Sequence, residues 1–370
     1  MKKLPRWISR FLLCSLTALA CGAAELPAKP AETAAPDSGR VILGHGDARY
    51  EVDLHWAKAD PKVAPVINSH AMVEGKDGLL YLVTDHPSNA FLVFRKDGSF
   101  VRSFGKGLEG GHGVEIFEDK GEEFLIHVDC GWHFEAEGWK PHAGEGAVTI
   151  LKTDGTIVRR LPTPQEMGPG SKFMPCDVAV TPQHTILIAD GYATNLIYEV
   201  TLTGELVRKW GGPAPGQPRH LDNAHGISLD TSDPAKPMVW VPSRSENQLK
   251  GFTLEGEYVE TIDLPGAFAG QLFFRGTRIY TAVCWSKKDG TGPQQNHSGF
   301  LLVLDRASHK VISAPGGNEP VYVDGKLQSL YQTSPTFLHG HDLYVDSDGA
   351  IYLGEWNANR RYPAKLTPVQ

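Results

Sequence analysis

Cysteine is scarce in this 370-residue sequence: there are five cysteines, and no two of them form a Cys-x-x-Cys pair. Cys14 and Cys21 lie in an N-terminal segment that we expect to be removed or lipidated, which leaves Cys130, Cys176 and Cys284 in the folded part. An odd number of thiols without a paired motif argues against a disulfide framework and against a cysteine-based zinc site. We therefore expect these three thiols to be buried.

The sequence also lacks an excess of basic residues and long patterns of helical periodicity. Lysine and arginine total 36 against 43 aspartate and glutamate residues, so the formal net charge is −7. An acidic surplus argues against a nucleic-acid-binding protein, which usually presents a basic face. The chain instead has 40 glycines and 26 prolines, which favour short strands joined by tight turns.

Residues 1–24 have the features of an export signal. Basic residues precede an apolar run at 11–20, which is too short to span a bilayer as a helix. Residues 18–21 resemble a loose bacterial lipobox with Cys21 as the lipidated residue, whereas residues 22–24 would suit an ordinary signal peptidase. Residues 25–40 are rich in alanine and proline and indicate an extended tether. We predict an exported protein, either a periplasmic or cell-envelope lipoprotein or a secreted one, that contacts the membrane only through an N-terminal lipid.

A repeated unit fills residues 41–370. Each unit contains a turn, an apolar strand, a second turn that often includes Asp-Gly, and further short strands. The six units begin near Ser69, Gly111, Pro175, Ala224, Gly270 and Gly340. Four-stranded units that recur every 40 to 50 residues or so are typical of a β-propeller.

The longer gaps and the ends of the repeat region fit the same architecture. Polar, Gly/Pro-rich insertions occupy 132–146, 286–297 and 316–334, and we expect them to form loops on one face. The last unit ends after its third strand, so residues 41–43 or 50–52 would supply the missing strand and remove an exposed edge. We predict an all-β, six-bladed β-propeller of the NHL-repeat type, closed by an N-terminal strand.

The turn before the innermost strand of each propeller blade faces the central channel. Histidine occupies this turn in four units, and Asp177 and Gln271 stand near the equivalent place in the other two. The four histidines are His70, His112, His225 and His341. Side chains far apart in sequence are therefore expected to meet in the channel.

Five pieces of sequence match one known family. They are Gly111-His112-Gly113, residues 174–180 with 189–192, Ala224-His225-Gly226, residues 243–247, and residues 341–343 with 348–354. Together they resemble the NHL-repeat propeller of peptidyl-α-hydroxyglycine α-amidating lyase, over most of 105–366. This resemblance implies an exported zinc-dependent lyase that cleaves a C–N bond of a hydroxylated, peptide-like substrate and releases glyoxylate.

The resemblance also implies roles for individual residues. His112, His225 and His341 would hold Zn²⁺, because three neutral imidazoles with one open position are a usual catalytic zinc site. Tyr192 would act as the base near the substrate hydroxyl, and Arg244 would bind the terminal carboxylate. Asp342 resembles the side-chain ligand of a structural Ca²⁺. His70, Asp177 and His339 are possible additional channel residues.

The sequence departs from the family pattern in one region that matters for the site. The family has a second arginine in its first unit, whereas the matching region here, residues 84–89, reads Thr-Asp-His-Pro-Ser-Asn. The roles of His70 and His339 are not explained by the family pattern either. Simpler interpretations exist for the other residues: Tyr192 could pack between blades, and Arg244 could pair with Glu246.

The sequence is compatible with two classes of function. The first is the metal-dependent lyase, a monomer that takes a small molecule or a peptide into its central channel. The second is a non-catalytic NHL propeller that binds a protein or a polysaccharide at the cell envelope. A lactonase-type propeller is a weaker third reading, since those sites place carboxylates and asparagine around calcium and this channel is rich in histidine.

Overall fold

The computed structural model describes residues 40–137, 140–164, 172–288 and 295–369. The predicted signal peptide (1–24) with Cys21, and residues 25–39 of the predicted tether, lie outside the described residues. Within the described ranges, no helix combines the length and apolar character that crossing a membrane requires.

Six antiparallel sheets form the six blades of a β-propeller, so the predicted fold class is confirmed. Blades are numbered here along the chain, and the strands of each are given from the inner to the outer one. Blade 1 consists of Ser69–Glu74, Leu80–Thr84, Phe91–Phe94 and Phe100–Phe104. Blade 2 consists of Gly111–Asp119, Glu122–Asp129, Ala147–Lys152 and Ile157–Arg160. Blade 3 consists of Asp177–Val180, Thr185–Ala189, Leu196–Thr201 and Leu206–Gly211.

The remaining three blades follow the same order. Blade 4 consists of Ser228–Asp230, Met238–Ser243, Gln248–Thr253 and Tyr258–Asp263. Blade 5 consists of Ala267–Arg275, Arg278–Ser286, Phe300–Asp305 and Val311–Ser313. Blade 6 has five strands, Gly340–Val345, Ile351–Glu355, Ala364–Pro368, Ala48–Asp53 and Val41–His45.

Blade 6 closes the ring as the sequence predicts. Ala48–Asp53 pairs with Ala364–Pro368 in a register that runs from Tyr50 opposite Pro368 to Asp53 opposite Lys365. Val41–His45 then pairs with Ala48–Asp53 as a fifth strand. The third strand of the last repeat therefore has no exposed edge on this side, which removes a site for unwanted strand pairing.

The apolar core lies between the faces of neighbouring blades. The second strand of blade 1, Leu80–Thr84, is buried along its whole length, whereas the outer strand of blade 2, Ile157–Arg160, is exposed throughout. Burial thus decreases towards the outer strand of a blade. The second and third strands are covered on both faces, which explains their short, continuous apolar runs. The three cysteines of the propeller are buried and unpaired, as predicted.

Short additional elements decorate the blades. Trp132–His133 pairs with His142–Ala143 within the insertion of blade 2, and Tyr322–Val323 pairs with Lys326–Leu327 in the segment before blade 6. A 3-10 turn, Arg244–Glu246, follows the second strand of blade 4. The first of these hairpins lies beside the channel and takes part in the site.

The inner strand of blade 4 is short and comprises only Ser228–Asp230. The sequence places His225 in the turn before this strand, and the ladder accordingly begins only at Ser228. The residue just before the ladder contacts blade 3, since the Ile227 N–H donates to the Asp177 carboxylate at 3.0 Å. A Cβ atom on Gly226 would lie 2.8 Å from the Cα of Gln271 in blade 5, so glycine allows the inner strands to approach closely here.

Candidate metal centre

Two sets of backbone positions meet at one end of the channel. The first set is the start of each inner strand, and the second is the residue or two that follow the second strand of each blade. The antiparallel pairing of the first two strands puts these positions side by side, as in the pairs Ser69 with Thr84 and Gly111 with Asp129. Every blade therefore contributes side chains to this end of the channel.

The four channel histidines predicted from the sequence lie together. The ring centres of His112 and His341 are 4.4 Å apart, as are those of His70 and His341, and the rings of His112 and His225 are 4.7 Å apart. One ring nitrogen from each of His70, His112 and His341 lies within 4.8 Å of those of the other two. All four side chains are buried.

The closest contact in the cluster joins two nitrogen acceptors. Nδ1 of His112 lies 2.7 Å from the carbonyl oxygen of Cys176, which can only accept, so this nitrogen bears the proton. Nδ1 of His341 likewise donates to the Asp342 carboxylate at 3.2 Å. The two Nε2 atoms, which are then unprotonated in neutral rings, face each other at 3.0 Å. Such a pair cannot form a hydrogen bond, and a shared cation would remove the repulsion between the lone pairs.

The distances also suit zinc. Zn–N bonds of 2.0–2.1 Å in tetrahedral geometry put neighbouring ligand nitrogens about 3.3 Å apart. The separation of 3.0 Å between the Nε2 atoms of His112 and His341 is close to that value. Metal-ligating histidines usually donate their other N–H to a carbonyl or a carboxylate, as His112 and His341 do here. This donor set fits a transition-metal ion such as Zn²⁺.

Burial keeps these imidazoles neutral. It lowers the pKa values of His112 and His341 well below 6.5, and the neighbouring imidazoles lower them further. The pKa of His225 is also lowered well below 6.5, first by burial and then by the positive charge of Arg244. A neutral imidazole is the form that binds a metal ion, so the site is poised for a cation at neutral pH.

His70 has a carboxylate partner that the sequence analysis did not find. Its Nε2 lies 3.3 Å from Oδ2 of Asp85, and its Nδ1 is buried without a hydrogen-bond partner among the described residues. Asp85 is held in turn by Asn68, whose backbone N–H donates to Oδ1 at 2.9 Å. Asp85 lies in the region where the related family has its second arginine, and its position after the second strand of blade 1 is the signal that would have identified it.

Tyr192 connects two of the histidines. Its hydroxyl lies 2.7 Å from Nε2 of His225 and 3.1 Å from Nε2 of His112. Burial raises the pKa of Tyr192 well above 10, so the phenol holds its proton in the absence of a nearby cation and donates it to the closer acceptor, His225. The remaining nitrogen of His225, Nδ1, is buried and has no partner in the described part of the chain.

Arg244 is held beside the cluster with one nitrogen free. Its Nε donates to the carbonyl of Ala269 at 3.2 Å, and its guanidinium lies 5.6 Å from the centre of the Trp285 ring. Its Nη2 is buried without a hydrogen-bond partner among the described residues. Glu246, the simpler candidate partner, forms its ion pair with Lys250 at 2.8 Å instead. Arg244 therefore presents an unused donor to an anion.

A cavity of about 210 Å³ opens above these groups. It combines cluster histidines with Tyr192, Arg244, two thiols and an aromatic wall. The lining residues are His70, Asp85, His112, Cys130, Trp132, Phe134, Pro141, Tyr192, Arg244, Cys284, Trp285, His341 and Trp356. His225 is absent from this lining, so it lies behind Tyr192 rather than at the surface of the cavity. The volume is below the 300–1,000 Å³ common for ligand sites, which indicates a small ligand.

The channel also contains two buried aspartates, Asp342 and Asp177. Asp342 accepts the Gln271 N–H at 3.1 Å, and burial raises its pKa to about 6. Burial raises the pKa of Asp177 well above its usual value, with a further contribution from Asp342, and Oδ1 of Asp177 has no partner within the described residues. An unpaired buried carboxylate oxygen is costly unless a cation or proton compensates it.

His339 lies outside the histidine cluster. Its Nδ1 is 3.1 Å from the carbonyl oxygen of Trp356, and its Nε2 accepts the His297 N–H at 3.1 Å. Burial lowers the pKa of His339 to about 4, so the ring is a neutral link between these two segments. It holds the backbone behind Trp356, which in turn lines the cavity.

Comparison with known proteins gives weak but consistent similarity to the family recognised in the sequence. No protein-family model matches the chain. Peptidylglycine alpha-amidating monooxygenase of Rattus norvegicus is 24% identical over 265 residues, which cover 69% of this chain and 23% of the relative. The match thus spans about a quarter of that protein. NHL repeat-containing protein 3 of Mus musculus is 25% identical over 334 residues and covers 85% of this chain and 83% of the relative.

Solved structures support the architecture alone. A structural genomics protein of unknown function from Bacteroides thetaiotaomicron superposes with a TM-score of 0.53 at 12% sequence identity. The alignment covers 89% of this chain and 76% of that one. The chain is thus a six-bladed β-propeller with weak sequence similarity to the amidating monooxygenase and to NHL repeat-containing proteins.

Proposed function

We propose that this protein is an exported, metal-dependent lyase that cleaves a C–N bond in a small hydroxylated substrate bearing a carboxylate, and that releases glyoxylate. The observation that carries the proposal is the 3.0 Å contact between two unprotonated nitrogens, of His112 and His341, beside Tyr192 and Arg244 in one cavity. The weak similarity to the amidating monooxygenase supports the choice of reaction. Export is inferred from the N-terminal sequence.

The donor set supports zinc as the metal. His112 and His341 would hold the ion together with a third imidazole of the cluster, and an open position would remain for the substrate. A zinc ion bound there supplies a Lewis acid that polarises a hydroxyl oxygen and lowers its pKa.

Arg244 and the tryptophans would bind and orient the substrate. The free Nη2 of Arg244 can donate to a carboxylate, and a planar guanidinium matches that group in two-point contact. Trp285 packs beneath the guanidinium and Trp356 packs 5.8 Å from Trp285, so both restrict the cavity to a compact ligand. The aromatic wall also excludes water, which strengthens these polar contacts.

Tyr192 would accept the proton of the substrate hydroxyl, which requires the phenolate form that a nearby cation would favour. In the proposed reaction the hydroxyl loses its proton, its C–O bond becomes the C=O bond of glyoxylate, and the electrons of the C–N bond move to the leaving nitrogen. That nitrogen takes up one proton, so atoms and charge balance without an oxidant or an added water. A phenol whose oxygen is 3.1 Å from Nε2 of His112 lies close to where the hydroxyl would bind.

We further propose a structural cation, Ca²⁺ being the best candidate, between the channel aspartates. Asp342 and the unpartnered Oδ1 of Asp177 would supply hard oxygen ligands, and backbone carbonyls would complete the site. The buried Oδ1 of Asp177, which has no hydrogen-bond partner among the described residues, is the observation that favours it.

Metal analysis followed by a glyoxylate assay tests the proposal. The purified propeller should contain zinc at close to one ion per chain and should release glyoxylate from an N-acyl α-hydroxyglycine. The His341→Ala variant should lose both properties, and a variant of the exposed His184 should keep both. Absence of bound zinc after incubation with the metal, together with retention of a protein or polysaccharide, would favour the non-catalytic envelope propeller instead.

A further inference from the structure

The family that the sequence resembles has three histidines in its site, whereas this channel contains four. One of the four imidazoles therefore has no role in the family pattern. Three of the four have a common environment. His70, His112 and His341 line the cavity, and each lies in a β-bulge that interrupts the pairing of its inner strand. Bulges near functional sites redirect side chains. His225 precedes the ladder of blade 4 and does not line the cavity.

The hydrogen bonds separate the same three histidines from the fourth. Each of the three has an acceptor on one ring nitrogen: Asp85 for His70, the Cys176 carbonyl for His112 and Asp342 for His341. Such acceptors fix the tautomer and leave the other nitrogen for a metal. In His70 the nitrogen that remains is Nδ1, which is buried and unpartnered within the described chain.

His225 has the opposite arrangement. Its Nε2 accepts the Tyr192 hydroxyl at 2.7 Å, and its Nδ1 has no acceptor among the described residues that could orient the ring as a ligand. A metal bond at Nε2 would displace Tyr192 from its strongest hydrogen bond. The geometry therefore makes His225 a partner of Tyr192.

We propose that His70, and not His225, is the third metal ligand, that Asp85 orients it, and that His225 is a positioning residue that holds Tyr192. The inference rests on the proposed function, and it changes the ligand set implied by the family resemblance. It also gives a role to Asp85, which lies where the family has an arginine. The metal would then be bound by blades 1, 2 and 6, which are consecutive around the closed ring.

Zinc affinity of four variants tests this assignment without any activity measurement. By chelator competition, His70→Ala should lower zinc affinity by more than 100-fold, and Asp85→Asn should lower it about 10- to 100-fold. His225→Ala should keep the wild-type stoichiometry. His127→Leu, which changes a buried histidine of blade 2 outside the cluster, is the matched control, and circular dichroism checks that each variant folds. Loss of zinc from His225→Ala, whether or not His70→Ala also loses it, would overturn the assignment.

The role of His225 has its own readout. With zinc retained, His225→Ala should lower kcat for glyoxylate release while KM changes little, and His225→Gln, which restores an acceptor for the Tyr192 hydroxyl, should recover part of the loss. An unchanged kcat in His225→Ala would overturn this role. If the wild-type protein binds no zinc, the proposed function fails as a whole; if it binds zinc through His225, only the present assignment fails.

Discussion

His112 and His341 are 229 positions apart in the chain, yet their Nε2 atoms lie 3.0 Å apart. Their Nδ1 atoms donate to the Cys176 carbonyl and to the Asp342 carboxylate, respectively, so neither Nε2 has a proton to share. The contact is unfavourable for the protein alone and favourable around a cation. The fold therefore holds the two proposed ligands in place without an ion, which would lower the ordering cost of binding one.

Zinc should stabilise the folded protein through this pair. Binding to the native state alone adds about 2.7 kcal/mol at a free zinc concentration of 100 times Kd. We expect the Tm to rise on addition of zinc and to fall again with a chelator. His112→Ala should have a Tm that no longer responds to zinc, and a wild-type Tm that is independent of zinc would contradict the prediction.

Arg244→Lys should weaken the site by removing the planar donor pair while keeping the charge. A lost charge-assisted hydrogen bond is worth about 1.5–3 kcal/mol, so we expect kcat/KM for a carboxylate substrate to fall roughly 10- to 100-fold. Steady-state kinetics of glyoxylate release measures the effect. The zinc content of the variant should be unchanged, since Arg244 contacts Ala269 and Trp285 and no cluster histidine by hydrogen bond among the described contacts.

Repetition made much of this site predictable. His70, His112, His225 and His341 occupy equivalent places in their units, and propeller geometry brings equivalent places to one axis. The sequence could not separate their roles, because these depend on bulges and hydrogen bonds that differ between blades. The bulge between Gly340 and Leu343 also breaks the two-residue alternation, which explains why His339 lies outside the cluster although it is two positions from His341.

Residues outside the repeat were harder to predict. Trp132 belongs to an insertion, and only the pairing of Trp132–His133 with His142–Ala143 brings it to the cavity. His133 anchors this hairpin through Asp129, which accepts from its Nε2 at 2.9 Å. Neither contact follows from a periodic pattern, so the sequence alone did not predict that Trp132 lines the cavity.

His127 should make the protein sensitive to acid independently of any metal. Both of its ring nitrogens are buried without partners in the described chain, and burial lowers its pKa to about 3. Below its ordinary pKa of 6.5 the unfolded state binds a proton that the folded state does not, so stability falls as the pH decreases from about 6.5 towards 3. The slope from this group approaches 1.4 kcal/mol per pH unit.

The His127→Leu variant isolates this contribution. Removal of two unsatisfied nitrogens should raise the free energy of unfolding by about 1–3 kcal/mol at pH 7. The advantage over the wild type should grow as the pH is lowered from 6 to 4, which urea unfolding at several pH values can measure. A constant difference across this range would mean that His127 is not neutral in the folded protein.

The N-terminal strand should be essential for closure of the ring. Tyr50 lies in the strand that completes blade 6, is 1% exposed and belongs to the apolar cluster that includes Leu353 and Leu366. Replacement of such a buried aromatic by alanine costs about 3–5 kcal/mol, because the cavity is only partly refilled. Tyr50→Ala should therefore lower the urea midpoint strongly, and loss of pairing with Ala364–Pro368 should expose a strand edge and promote association, visible by light scattering.

Arg49→Ala is the matched control for this strand. Arg49 is the neighbouring residue, and its side chain is exposed, so the substitution should change the free energy of unfolding by no more than about 0.5 kcal/mol. Its backbone carbonyl accepts the Val369 N–H at 2.9 Å, and this bond is retained in the variant. If side-chain packing against blade 6 holds the ring closed, only Tyr50→Ala should lower the free energy of unfolding strongly. Equal effects of the two substitutions on this free energy would mean that the strand acts through its backbone alone.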